Sequence, residues 1–205
     1  DAAGFTYVSL CGMSPETIPN AEAHLPKNLC PLIKSSYGFA VSDKCPYTYF
    51  SDLIVGETTC DGKKKMYELL NRIKPTYILH LPQGHDSDPV TVWTAELRRF
   101  IKYLEDNFGV TITDEMLREA AKKRNVERQV NLKLMAMQRQ DPPPMSGLQM
   151  YQALEGTGFV FTHEERVAKI EDLIHSIEET ADPEANRGCK RIMVTGCPIG
   201  GVLQK

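Results

Sequence analysis

No apolar run in this 205-residue chain approaches the roughly 18 residues that a bilayer span requires, so no membrane segment is expected. There is no basic excess either. The 24 Lys and Arg face 27 Asp and Glu, a formal net charge of −3, which removes the electrostatic case for nucleic acid. Asp1-Ala-Ala-Gly4 has neither a basic n-region nor an h-region, so no signal peptide is expected. No G-x-S-x-G elbow supports Ser/His/Asp chemistry. No G-x-x-x-x-G-K-S/T loop supports ATP hydrolysis on this chain, and no G-x-G-x-x-G follows a strand. No two cysteines have the C-x-x-C spacing of a zinc ribbon or ferredoxin. The apolar content of 41% is ordinary for a soluble globular protein, and the cytoplasm is the expected location. The length suits one large or two small domains with ample core.

What is present is six cysteines. The chain is too long and helix-rich for a small disulfide-stapled scaffold, so reduced thiols are expected, of the metal-binding or catalytic kind. The sequence is organised around residues 51–68. Leu53 to Val55 reads as a buried strand, Lys63 to Leu70 as a helix, and Cys60 stands between them before the Asp61-Gly62 turn. Open α/β sheets place ligands at such strand ends, and a helix start favours an anion. Lys63, Lys64 and Lys65 read either as a solvated face or as charge balance for a thiolate.

Phe5 to Leu10 is rich in β-formers and reads as a first strand running into Cys11-Gly12, with Ser14 and Pro15 opening a helix. Cys11 there is equally a small buried hydrophobe. Leu29 to Phe39 reads as a helix with Pro31 in its first turn, and Lys34, Ser35 and Ser36 fall about one turn past Cys30. Cys45-Pro46 follows. Pro75 to Leu81 is the next strand. His80 alternates with apolar neighbours as a core histidine would, and His85 lies in the loop beyond. From Val90 the period becomes helical: Val92, Ala95, Leu97, Phe100, Ile101 and Leu104 up to a stop at Gly109. Thr113 caps a helix whose apolar face is Leu117, Ala120, Ala121, Val126, Val130, Leu134 and Met137, stopped by Asp141-Pro142. Met145 to Leu154 is helical, and a capping box at Thr162 and Glu165 opens another helix.

Lys190 to Thr195 then reads as a strand ending in Gly196-Cys197-Pro198. A lone strand has no sheet of its own. It either joins the first sheet or begins a second α/β domain. With no initiator Met, the second reading, a piece of a longer protein, is preferred. The expected organisation is an α/β portion at 1–85, a helical section at 86–188, and the first strand of a further α/β domain at 189–205. Cys11, Cys60 and Cys197 each follow a strand, and Cys30 and Cys45 lie on the segment between the first two strands. A βαβ arrangement would gather these loops. Several thiols without a matching His or carboxylate cluster favour soft metals, zinc or iron–sulfur.

Four stretches carry a resemblance: Asn28-Leu-Cys-Pro-Leu-Ile-Lys-Ser-Ser-Tyr-Gly38, Lys44-Cys-Pro-Tyr47, Gly56-Glu-Thr-Thr-Cys-Asp-Gly-Lys-Lys-Lys-Met-Tyr-Glu68 and Thr195-Gly-Cys-Pro198. Together they are similar to the 2-hydroxyacyl-CoA dehydratase/benzoyl-CoA reductase superfamily, most of all its double-cubane cluster branch. The resemblance implies a flavodoxin-like parallel-sheet domain, a helical part and a second α/β domain. It implies a [4Fe-4S] or double-cubane iron–sulfur cluster, an ATP-dependent activator protein as electron donor, and a homo- or heterodimer with a related subunit. It also implies a reaction, reductive dehydration of a 2-hydroxyacyl-CoA through one-electron reduction of its thioester, or reduction of a small molecule. By motif, Cys30, Cys60 and Cys197 would hold one cubane. Cys45 and Cys11 would help hold a second, with a further ligand expected later in a complete chain. Cys189 matches no motif. The competing readings are an electron-transfer-only subunit and a redox-inert protein with structural zinc or buried free cysteines.

Overall fold

The structure, a computed structural model, describes residues 2–10, 12, 14–84, 88–182 and 184–193. They form two compact units, one of residues 9–111 and one of residues 1–8 with 112–205. Among the described residues no helix is long and apolar enough to cross a membrane.

In the first unit a 3-10 turn, Pro15–Thr17, leads into the short helix α1 (Ile18–Ala21), then α2 (Pro31–Val41) and α3 (Pro46–Phe50). Ser14 caps the 3-10 turn by accepting from the Glu16 N–H at 3.2 Å, and a proline opens each of α2 and α3. Strand β1 (Ile54–Glu57), helix α4 (Asp61–Leu70) and strand β2 (Thr76–Leu79) make a parallel βαβ unit, with Ile54 opposite Thr76 and Glu57 opposite Leu79. Helix α5 (Pro89–Phe108), capped by Asp88 and ended by Gly109 at φ 65°, belongs to the same unit. The core joins Ala21, Leu25, Ile33, Tyr37, Ile54, Met66, Tyr67 and Leu70. It lies between α2 and the βαβ unit. Each fully buried Leu there contributes about 2 kcal/mol of transfer free energy.

The second unit is helical: α6 (Asp114–Ala136), α7 (Gly147–Thr157) and α8 (His163–Thr180). Thr113 caps α6, and Thr162 caps α8 by accepting from the Glu165 N–H at 3.3 Å. Ser146 and Gln149 close a reciprocal capping box on α7 that pattern reading passes over. Val130, Leu134, Met137, Met145, Met150 and Ile170 form the core. Beside it Glu127 is buried, its Oε2 shared by Arg124 at 2.7 Å and His163 Nδ1 at 2.5 Å and its Oε1 accepting from Arg166 at 3.0 Å.

Four expectations change. Phe5 to Leu10 forms no strand. Its β-formers find other uses, and Tyr7 lies under the Arg124 guanidinium, 5.7 Å from the ring centre. Lys190 to Met193 forms no strand either, and Arg191 donates to the Gln140 carbonyl at 2.8 Å instead. The rest of that expected strand, with Cys197, lies outside the described residues. Val126 is 54% exposed rather than on the α6 inner face. His80 is exposed, and the buried group beside it is Glu96, 2% exposed, which accepts the His80 backbone N–H at 3.0 Å. The α/β class holds at the level of a two-stranded parallel sheet carrying helices.

Candidate functional site

The thiols sit where helices begin. Cys30 is the N-cap of α2 and Cys60 the N-cap of α4. Both are exposed, and neither sulfur accepts a capping hydrogen bond from its helix. Cys60 follows β1 at its carboxyl end, the edge where parallel sheets take ligands.

The two helix starts touch. A Cβ on Gly62 would lie 2.8 Å from Ile33 Cδ1 and 2.9 Å from Leu29 Cδ1, so the first turn of α4 packs directly on side-chain tips from the start of α2 and the residue before its cap. The neighbours of Cys30 and Cys60 in sequence are thus in contact in space. Gly12 makes a second approach: a Cβ there would meet Leu32 O at 2.6 Å and Ser36 Oγ at 2.8 Å. Cys11 itself, like His85 and Cys197, lies outside the described residues, but Gly12 after it is seated on α2.

Cys45 is held elsewhere. It follows α2, whose 11 residues span about 16 Å. With Thr48, Ile73 and Lys74 it borders an open cavity of about 400 Å³, and Ile73 and Lys74 lie just past the far end of α4. Cys45 is therefore at the opposite ends of both helices from Cys30 and Cys60. Cys45 is buried, and its sulfur accepts from the Thr48 N–H at 3.4 Å, capping α3. Cys189, exposed, belongs to the helical unit. Among the described residues no three His, Cys, Asp or Glu side chains are grouped for a metal ion.

Of the three lysines after Cys60, two face water. Lys64 pairs with Asp61 at 3.0 Å and Lys65 with Glu68 at 2.8 Å. The hydrogen bond from Lys65 holds the Glu68 carboxyl below the ordinary carboxylate range. Lys63 is half-buried. Ser14 is tied into the fold, its carbonyl accepting from Ser35 Oγ at 2.5 Å.

The family model described as "2-hydroxyglutaryl-CoA dehydratase, D-component" matches residues 1–205. The chain belongs to that family. It is also 43% identical, over 206 residues, to the Escherichia coli (strain K12) protein named "Putative dehydratase subunit YjiM", a match that covers 100% of this chain and 54% of that protein. The chain thus spans about half the length of the curated relative it matches.

The donor set suits the chemistry of a thiolate-held cluster. Two exposed sulfurs stand at adjoining helix starts, where N–H groups and the helix dipole favour negative charge. What sequence reading did not foresee is the burial of the charge behind Cys30. Lys34 is 6% exposed, and its Nζ donates to Lys27 O at 2.6 Å and Glu22 Oε1 at 2.7 Å. The available signal was a single charge inside the otherwise uncharged run Pro31 to Val41.

Proposed function

We propose that this chain is part of the iron–sulfur component of a reductive dehydratase. Its substrate would be a 2-hydroxyacyl-CoA or a related small molecule, and a separate ATP-dependent activator would supply low-potential electrons. One observation carries the reading: Cys30 and Cys60, exposed and uncommitted, open two helices whose first turns meet across Gly62. Family membership supplies the reaction class. The printed name of the Escherichia coli relative, a dehydratase subunit, agrees with that class.

In this reading Cys30 and Cys60 are cluster ligands, with Cys11 and Cys197 as further ones. Cys45, capping α3 at the other end of α2, serves packing in this fragment's fold. When bound, such a cluster supplies single electrons at low potential to the substrate. The chain's own part is to hold two thiolates at helix starts, where the peptide dipoles offset their charge. The Gly62 contact keeps those starts in register. The βαβ unit is proposed as one portion of a flavodoxin-like sheet, with a second α/β domain completing the site, and the working assembly as a dimer with a like or related subunit.

The test uses the full-length protein purified without oxygen. Cys60→Ala and Cys30→Ala should each lose most of the bound iron and sulfide, and Cys189→Ala should keep both. A colourless anaerobic preparation that binds one zinc would overturn the proposal. Turnover that depends on the activator separates a catalyst from an electron-transfer-only subunit.

A further inference from the structure

We propose that Lys34 is the positioning residue for Cys30, an inference that rests on Cys30 being a cluster ligand. A lysine this buried is uncommon, because removing an ammonium from water is costly unless it is paired and hydrogen-bonded. An apolar side chain would fill the same volume without that cost. What it could not do is bond the loop. Lys34 Nζ donates to the carbonyl of Lys27, three residues before Cys30, at 2.6 Å, and the Lys34 backbone N–H donates to the carbonyl of Cys30 itself at 3.1 Å. The backbone bond is the ordinary first-turn bond of α2, which any residue at 34 would make; the Nζ bond to Lys27 is what the lysine side chain itself adds to the turn that presents the thiol.

The remaining supports are apolar. Leu25 and Ala21 are in the core, and Leu29 meets Gly62. Between Leu25 and Pro31 the Leu29 N–H bonds the Pro26 carbonyl at 3.0 Å, so the segment is a tight turn whose end is fixed by Lys34. Glu22, at 2.7 Å, balances the ammonium. Lys34 therefore contributes geometry at Cys30 more than charge: it sets where the sulfur stands relative to Cys60. Supporting groups behind metal ligands are commonly needed in this way, and their loss lowers metal affinity by about 10-fold to 100-fold.

The experiment loads the full-length protein with Co(II) as a spectroscopic probe of thiolate ligation and compares Lys34→Met, Cys30→Ala and Leu70→Ala. Leu70 is fully buried in the same core and away from the turn, so its variant reports simple destabilisation. Lys34→Met should reduce the thiolate-to-cobalt charge-transfer band to the level of Cys30→Ala and weaken Co(II) binding about tenfold. Amide exchange in residues 25–30 should quicken about tenfold while residues 61–70 stay as they were. Leu70→Ala should keep the wild-type band. If Lys34→Met keeps the full band, or if Leu70→Ala loses it equally, the inference is overturned while the ligand reading stands. If Cys30→Ala itself leaves the band unchanged, the ligand reading fails and the inference falls with it. Should Lys34→Met not fold, Glu22→Gln serves: it removes the balancing charge and should give a partial loss of the band. An unchanged band together with unchanged amide exchange in residues 25–30 in that variant counts against Lys34.

Discussion

In residues 9–111 the buried polar side chains act chiefly on backbone. Glu96 takes the His80 N–H at 3.0 Å, Thr58 takes the Leu81 N–H at 2.9 Å, and Lys34 donates to the Lys27 carbonyl at 2.6 Å. In the helical unit the buried charges also act on one another, with Glu127 of α6 at the centre of Arg124, His163 and Arg166, while Arg166 donates as well to the Val160 carbonyl at 3.2 Å. A side chain that bonds a loop amide or carbonyl fixes a few residues of backbone. A network that links α6 to α8 ties two elements of the core together. The first arrangement belongs with loops that must hold chemistry in place, the second with a scaffold. Losing the first kind of contact should therefore loosen a segment, and losing the second should weaken the whole unit.

The largest break is expected at Glu127. Glu127→Ala removes the carboxylate that pairs with Arg124 and Arg166 and should lower stability by about 3 kcal/mol, read from denaturant unfolding by circular dichroism. A loss confined to faster exchange in one turn would erase the contrast. The same group sets a pH dependence. Burial on its own would raise the Glu127 carboxyl, but hydrogen bonds from Arg166 and His163 and the nearby Arg124 charge outweigh it and hold the carboxyl below its ordinary range. A carboxylate lowered by folding adds stability above its unfolded pKa, about 4.3, and that stability is lost as pH falls through the lower folded value. Acid unfolding followed from pH 5 downward should be steeper in the wild type than in Glu127→Gln.

Next in size is Glu96→Ala, which leaves the His80 amide without its acceptor beside a buried site. The expected loss is about 1–3 kcal/mol, and amide exchange should quicken around His80 with little change at α2. The smallest effect sharpens the comparison from the other side. Thr162 is a backbone-bonding group inside the helical unit, so Thr162→Ala should cost about 1 kcal/mol and loosen only the first turn of α8 by exchange. If it weakened all of α6 and α8, the kind of contact would matter less than the unit holding it.

The helices were legible because their signals are local. Thr113, Thr162 and Gly109 stand at the ends they predict, and the apolar period of α8 places Ile170 in the core. The strand at 54–57 and the helix after Cys60 were legible for the same reason. Phe5 to Leu10 was misread because β-formers describe a side chain that suits a pleated surface, and a strand also needs a neighbour that the local sequence does not name. Val126 shares the helical period of α6 but sits at the margin of the face that is covered, which the period alone does not resolve. Glu96 was passed over, and the burial of Lys34 was not foreseen, because the ordinary place of both side chains is solvent. What buries them is a pair of distant backbone groups, the His80 amide and the Lys27 carbonyl. Helix α5, grouped by its period with the later helices, belongs instead to the unit of the sheet.

By itself the sequence determined that Cys30 and Cys60 each precede a helix, since Pro31 and the Asp61-Gly62 turn are short-range signals in dihedral angle and hydrogen bonding. It also determined the family, which is carried by residues in order along the chain. Only the tertiary structure decided which helix starts adjoin. The close approach at Gly62 joins the starts of α2 and α4, and the length of those helices carries Cys45 to their far ends. Spacing in sequence could not show this, because the distance between two thiols depends on how rigid helices pack, and that is set by the side chains between them.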